Sequence, residues 1–433
     1  MGRESRPPAD RDFVRLWTGG TASLVGSRAT DLALPLVAIV TLRASAFEVG
    51  LLNAARYAPL VIVPVVVGVW SDRLRWRPML VACDVGRAVL IGLVPLAGLL
   101  HLLSMNLLYA IGFAVGVLTA PFDVAMRTCV PKLVDRRYLA EANSRIAMGY
   151  RVAGVCGPGL AGLLVGLLTA PVALAVNGVS YLFGAATLGA LDHRETAPPT
   201  PRRRRPPAWR SIAEGLRAVA HDRVLRHLAT QSATFTLFGN VVVTVLVVYA
   251  VRDLGLRPAQ LGLVVGAGPV GALLGSVLAN RLRDRLGFGP TLRLATVVAC
   301  LSPLVLLEPD GSDPASLLVI GGSLAVHGFH LAVFNANALT LRRSVALDQL
   351  RGRITASYRL LMVGTIPLGA LLGGAAATLF GLRPALTVGV IGLASPIAWI
   401  TFSPVFRPHP IPGGPAGRTS RTASARPTPA PNP

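Results

Sequence analysis

The sequence predicts an all-α integral membrane protein: twelve transmembrane helices in two six-helix halves with pseudo-twofold symmetry. Three observations carry this. Apolar runs of membrane length recur along the chain, basic residues collect in alternate connections between them, and the second half repeats motifs of the first. Composition agrees, with 52% of the 433 residues hydrophobic, 14% charged and a mean hydropathy of +0.59. A soluble chain of this length carries far more charge.

Crossing about 30 Å of hydrocarbon at about 1.5 Å per residue takes about 20 apolar residues. Runs of that kind lie at 16–42, 48–70, 78–101, 105–127, 144–168, 171–191, 226–251, 258–280, 290–308, 315–339, 354–380 and 383–405. Pro or Gly within the second, eighth and eleventh is tolerable, because neighbouring helices satisfy the freed backbone groups. The first run is long and lacks a small-residue cleavage site, so it reads as a retained span.

Orientation follows from the connections. Those between even and odd spans hold Arg73/Arg75/Arg77, Lys132/Arg136/Arg137, Arg202–Arg205, Arg281/Arg283/Arg285 and Arg342/Arg343/Arg351/Arg353. The opposite ones are short and hold Arg43, His101, Arg252, Arg257, Asp310, Asp313 and Arg383. Short Lys/Arg-rich loops stay in the cytoplasm, so a multi-pass protein of the cell membrane with both termini inside is expected. The formal charge of +22 is then a topology signal, and no nucleic-acid partner is implied. The expected organisation is a cytoplasmic N-terminus (1–15), a first bundle (16–191), a cytoplasmic linker with a surface helix (192–225), a second bundle (226–405) and a disordered tail (406–433). Within the linker, the Pro/Arg-rich part is expected to be unstructured. Ile212, Leu216 and Val219 have the spacing of a helix lying along the membrane surface.

The loop Gly68–Pro78 reads GVWSDRLRWRP, a turn-forming basic loop in which Gly68 permits close helix approach and Asp72 precedes Arg73, Arg75 and Arg77. Residues Gly275–Arg285 repeat it 207 positions later, with Ala279 in the place of Asp72. Tyr150-Arg151 before Gly157-Pro158 is echoed by Tyr358-Arg359 before Pro367 and Gly369. The pattern G-x-x-x-D-R-x-x-x-x-R resembles the loop between helices 2 and 3 of the major facilitator superfamily. The stretch after span 4 is similar to its drug:proton antiporter branch, which includes macrolide exporters and the enterobactin exporter. Asp123, Pro131, Leu133, Val134, Leu139, Ala142 and Asn143 carry that similarity. In span 5, Gly154, Gly157, Pro158 and Gly162 resemble the Gly-Pro pattern of proton-exchanging exporters, although small residues in a helix also serve plain packing. The resemblance implies a latch in which Asp72 faces a helix end of the other half. Because Ala279 replaces it, that latch is expected on one side only.

Charges inside spans point to function, since each costs ~2.5–3.5 kcal/mol at a helix centre. Asp31 lies midway along span 1, with Arg28 three residues back and Arg56 at comparable depth in span 2. It is either a structural ion pair or a protonatable carboxylate that couples transport to protons. The resembling exporters also keep an Asp there, which favours the second role. Asp84/Arg87 and Asp123/Arg127 are read as local pairs within reach of Arg73 and Arg77, a charge cluster holding one conformation. Tyr57, Phe235, Phe238, Asn240, His327 and His330 are candidates for the substrate cavity, with helix packing or a hydrogen-bonded core as the alternative for the aromatics and histidines.

The functional expectation is a secondary transporter, exporting a small amphipathic compound such as a drug, a macrolide-like metabolite or a siderophore by alternating access. Its energy source would be the proton gradient, with no cofactor and no metal, and its other partners protons and the bilayer, in a monomer. Uptake and a non-transporting receptor are the alternatives. No GxxxxGK[ST] loop for ATP-driven transport and no clustered enzymatic site is present in the sequence. Cys83, Cys129, Cys156 and Cys300 form no CxxC pair.

Overall fold

The computed structural model describes residues 11–63, 75–191, 208–345 and 351–398. Gly68, Asp72 and Arg73 of the predicted latch, the linker at 192–207 and the tail lie outside the described residues. The first half contains α1 (Arg11–Leu36, continued by a π turn over Val37–Thr41), α2 (Ala46–Tyr57), α3 (Trp76–Leu99), α4 (Met105–Leu133), α5 (Leu139–Leu167) and α6 (Ala170–Gly189). A surface helix, α7 (Ala208–His221), leads into α8 (Arg223–Arg252), α9 (Pro258–Leu286), α10 (Phe288–Leu301, then a 3-10 turn over Ser302–Leu307), α11 (Pro314–Val345), α12 (Arg351–Phe380) and α13 (Leu382–Ala394). Among the described residues, 11 helices are long and apolar enough to cross a membrane, and the shorter apolar helix Leu382–Ala398 takes the twelfth place.

Several helices outrun their apolar stretch at the basic face. α4 continues to Leu133 and α9 to Leu286, because backbone hydrogen bonding carries on where hydropathy ends. At the opposite, short-loop face, local chemistry starts the helices. Ser45 and Glu48 form a reciprocal capping box at 3.2 and 2.7 Å, and Asp313 accepts from the amides of Ala315 and Ser316 at 3.1 and 3.2 Å. The Ser316 hydroxyl and amide hold the Asp313 carboxyl below the usual carboxylate range.

The two halves meet unequally. One buried apolar cluster crosses between them at the short-loop face, joining Leu36, Val37 and Val49 to Val245, Val248 and Leu261. At the basic face each half keeps a cluster of its own, around Phe13 and Phe122 in the first and around Leu292 and Phe334 in the second. Glycines permit the closure, since lipid supplies no hydrophobic drive and helices must gain contact by close approach. A Cβ on Gly262 (α9) would lie 2.6 Å from the Pro158 carbonyl oxygen and 2.8 Å from the Gly162 Cα on α5. A Cβ on Gly50 (α2) would lie 2.5 Å from the Ala370 carbonyl oxygen of α12 and 3.2 Å from the Gly374 Cα. Arg252, ending α8, donates to the carbonyls of Arg43 at 3.0 Å and of Ala44, both in the loop between α1 and α2. The molecule is therefore closed at the short-loop face.

These contacts fix the register of the internal repeat. Gly262 follows Gly50 by 212 residues, and Gly374 follows Gly162 by 212. The same offset maps the contact of Gly116 with the Arg56 carbonyl onto that of Gly328 with the Gly268 carbonyl. The 207-residue register read from the loops is thus shifted. At 212, Asp284-Arg285-Leu286 and Pro290 align with Asp72-Arg73-Leu74 and Pro78, so the counterpart of Asp72 is Asp284, not Ala279. Ala279 is buried within α9, whereas Asp284 is exposed with Arg283 at 3.4 Å. The carboxylate of this loop motif is present in both halves, contrary to the one-sided expectation.

The surface helix docks on protein through the face that its spacing marks. Val219 is buried with Ile354 and Tyr358, Gly215 sits against the Arg353 carbonyl, and Glu214 pairs with Arg353. The Ser357 hydroxyl donates to the Ile212 carbonyl at 3.1 Å.

Candidate functional site: a charge cluster between the halves

Asp31 stands on α1 four residues before Pro35, which cannot donate to the Asp31 carbonyl. Its carboxylate is gripped from two helices. Arg28 approaches Oδ2 at 3.1 Å, Arg56 of α2 approaches Oδ1 at 2.6 Å, and the Tyr57 hydroxyl donates to Oδ1 at 3.2 Å. The two arginines differ. Arg56 is buried and also donates to the Ser27 carbonyl at 3.1 Å, while the Arg28 side chain is 47% exposed. The span-5 motif helps to place this turn. A Cβ on Gly157 would lie 3.0 Å from the Ala29 amide nitrogen and would overlap Arg28. Gly162 and Pro158 make the crossing with α9, and Gly154 faces Pro269.

Asp123 does not pair with Arg127, although four residues on a helix separate them. Its partner is Arg359 of α12, in the other half, at 3.9 Å. Arg127 instead lies over the Tyr150 ring, 5.8 Å from its centroid. The local spacing lost because α12 brings a second guanidinium to the carboxylate. Arg28, Arg127, Arg359 and Asp123 all lie within electrostatic reach of the Tyr150 hydroxyl.

Asp84 and Arg87 of α3 form the predicted local pair, while the loop part of the predicted latch lies outside the described residues. Both are fully buried inside the first half, where the guanidinium sits 4.1 Å from the Phe122 ring and 4.8 Å from the Tyr181 ring. The Ser23 hydroxyl donates to Asp84 at 2.6 Å, and Arg87 donates to the Ser27 hydroxyl at 3.2 Å. Arg77 reaches the Gly189 carbonyl, and Arg73 lies outside the described residues. Ser27 joins the two sites, since its hydroxyl takes Arg87 and its carbonyl takes Arg56.

Of the six cavity candidates, only Tyr57 joins the charge cluster. His327 stacks on Phe235 at 5.4 Å inside the second half, with its Nδ1 2.7 Å from the Ala299 carbonyl. Phe238 packs against Gly392 of α13, and Asn240 donates to the Thr236 carbonyl at 2.8 Å. His330 is turned to Phe329, and its Nδ1 lies 3.0 Å from the Val326 carbonyl. Phe235 also lines a small pocket with Ser232, Thr296, Ala299 and Phe334. At the 212 offset, Thr296, Ala299 and Phe334 stand for Asp84, Arg87 and Phe122. The pocket therefore occupies the place that the Arg87 guanidinium fills in the first half. Tyr150 and Arg359 join the cluster without having been singled out as site residues, although their Tyr-Arg repeat was visible. Among the described residues, no group of three His, Cys, Asp or Glu side chains is placed to hold a metal ion.

Two six-helix halves, closed on each other at one face and carrying a charge cluster where they meet, define a transporter of the major facilitator superfamily. It is a multi-pass membrane protein and not an enzyme. The family model described as transmembrane secretion effector matches residues 5–407, and the chain belongs to that family. Related sequences include the enterobactin exporter EntS of Citrobacter koseri, 26% identical over 407 residues and covering 90% of this chain and 92% of the relative. The enterobactin exporter of an Escherichia coli strain is 26% identical over 363 residues, covering 81% and 82%. Similar solved structures include the nucleoside transporter NupG (TM-score 0.69, 13% identity, 92% of this chain and 100% of that one). Another is a bacterial homologue of the iron transporter ferroportin in an inward-facing state (TM-score 0.69, 17% identity, 90% and 98%).

Proposed function

We propose that this transporter exports a small amphipathic compound across the cell membrane by alternating access, in exchange for protons taken up on Asp31. The basic face lies in the cytoplasm in this reading, so the structure represents the inward-facing half of the cycle. The observation that carries it is the Asp31 site. An intramembrane carboxylate of the first half is held by two guanidiniums and a phenol, in a molecule closed at the short-loop face. Arginine does not release its proton, so coupling works by changing what surrounds the carboxylate. Facing inward, Arg28 and Arg56 occupy both carboxylate oxygens and compete with a proton. Facing outward, separation of α1 from α2 frees an oxygen for one. The relatives named as exporters support the outward direction.

The test is accumulation of fluorescent amphiphiles in cells with and without the chain, repeated after the proton gradient is collapsed. Protein-dependent exclusion that vanishes with the gradient is expected for the native chain. Asp31→Asn should lose uphill exclusion while retaining downhill exchange. Protein-dependent uptake, or an Asn variant that still excludes the compound against its gradient, refutes the reading.

A further inference from the structure

We infer that the substrate is an organic anion, whose carboxylate or phenolate group binds between Arg127, Arg359 and the Tyr150 hydroxyl. The inference rests on the transport reading above and adds the chemical class of what is carried. Its first support is charge. Among the described residues of the Asp31 and Asp123 sites, Arg28, Arg56, Arg127 and Arg359 stand against Asp31 and Asp123, four cations to two carboxylates. Asp31 uses two of those arginines, and Asp123 reaches one. Among the described residues, Arg127 has the Tyr150 ring as its contact and no carboxylate partner, although it is exposed.

The second support is an unsatisfied donor. The Tyr150 hydroxyl is buried yet has no hydrogen-bond partner among the described residues. A buried polar group without a partner is costly, so a site that leaves one open is shaped for something that arrives. An oxyanion suits it, because a phenol donates to oxygen and each flanking guanidinium presents a planar fork of donors. A cationic substrate would face the net positive charge with both carboxylates already engaged. The counterparts of Arg28, Arg127 and Tyr150 in the second half are Asn240, Leu339 and Met362, which are neutral. An amphipathic anion can therefore set its charged end between Arg127, Tyr150 and Arg359 and its apolar body toward the neutral remainder of the second half.

The proton carboxylate is a separate group, because both Asp31 oxygens are already held by Arg28 and buried Arg56.

The experiment uses the purified full chain in phosphatidylcholine vesicles. Binding of anionic carboxyfluorescein and of the cationic tetramethylrhodamine methyl ester is followed by fluorescence anisotropy. Carboxyfluorescein should bind the tighter of the two. Arg127→Gln should weaken it about tenfold, and Tyr150→Phe by a few-fold, as expected for loss of a charge-assisted and a neutral hydrogen bond. Arg127→Lys should recover part of the loss, and Arg226→Gln, on the exposed start of α8, should change nothing. Size-exclusion profiles confirm that each variant is folded. Tighter binding of the cationic ester, no binding of either dye, or an unaffected Arg127→Gln would overturn the inference. Displacement of the dye by added phosphatidylglycerol would also overturn it, by assigning the site to a lipid headgroup. Anion binding without directional transport would sink the efflux reading and leave this one standing. Export of the cationic ester unaffected by Arg127→Gln would do the reverse.

Discussion

Replacing Gly262 with alanine should open the short-loop face. The added Cβ would lie 2.6 Å from the Pro158 carbonyl oxygen and 2.8 Å from the Gly162 Cα. Carbon and carbonyl oxygen pack comfortably at about 3.3–3.6 Å, so α9 and α5 must separate by roughly 1 Å at this crossing. The obstacle is backbone on both sides, and no side chain can swing away. Overpacking of this kind costs about 1–3 kcal/mol, which here falls on the closed state alone. Such a bias multiplies the ratio of open to closed molecules by about 5–150. Gly374→Ala, whose Cβ would lie 2.8 Å from the Ala46 carbonyl oxygen, should act in the same way on the symmetry-related crossing. Gly159→Ala is the control, because nothing lies within 4 Å of its Cβ position. The assay is the distance distribution between spin labels at Leu168 and Arg257, with exposed Cys156 replaced. A longer distance is expected for Gly262→Ala and Gly374→Ala, and the native distance for Gly159→Ala. If Gly262→Ala matches Gly159→Ala, the glycine crossing is not what sets closure.

Removing one partner of the buried Asp84–Arg87 pair, as in Arg87→Leu, should cost about 3–5 kcal/mol and deplete folded protein in the membrane. The double change Asp84→Leu with Arg87→Leu should recover most of it, as read by detergent-extracted monodisperse yield. Exchanging the charges of Asp123 and Arg359 should preserve transport better than either single reversal, because the pair bridges the halves; equal losses in all three would disprove a bridging role. Thiol labelling of cysteines placed at Arg205 and Ser312 should mark the first from the cytoplasm and the second from outside, and labelling of both from one side refutes the assigned orientation.

Hydropathy made the helices legible because each must be apolar over membrane length, and the alternate arginines marked the two faces. Asp31 with Arg28 and Arg56 was legible for a related reason. A charge inside a span needs a partner, and two lay at suitable depth. What the sequence withheld was tertiary choice. Asp123 had an arginine four residues away, yet it took Arg359 from another helix, and no local pattern ranks those two. Asp84 and Arg87 looked like part of a surface latch because they lie near a basic loop. Their depth is set by the packing of α3 against α4 and α6, with α1 supplying Ser23 and Ser27, which spacing does not reveal. The repeat was visible but was read in a shifted register, since the arginine-rich loops match themselves at more than one offset. Contacts between glycines and backbone allow a single offset.

That register separates what the two halves share from what they do not. The shared part is backbone. Gly50 with Gly374 repeats as Gly262 with Gly162, and Gly116 on the Arg56 carbonyl repeats as Gly328 on the Gly268 carbonyl. The unshared part is charge. Arg28, Asp31, Arg56, Asp84, Arg87 and Asp123 correspond to Asn240, Val243, Gly268, Thr296, Ala299 and Asn335. If these ions served only to hold helices together, the second half would need them as well, since it makes the same crossings with the same close approaches. It makes them with neutral residues. The ionised groups of the first half are therefore surplus to the shared scaffold, which supports the proposed role of Asp31 in the transport cycle.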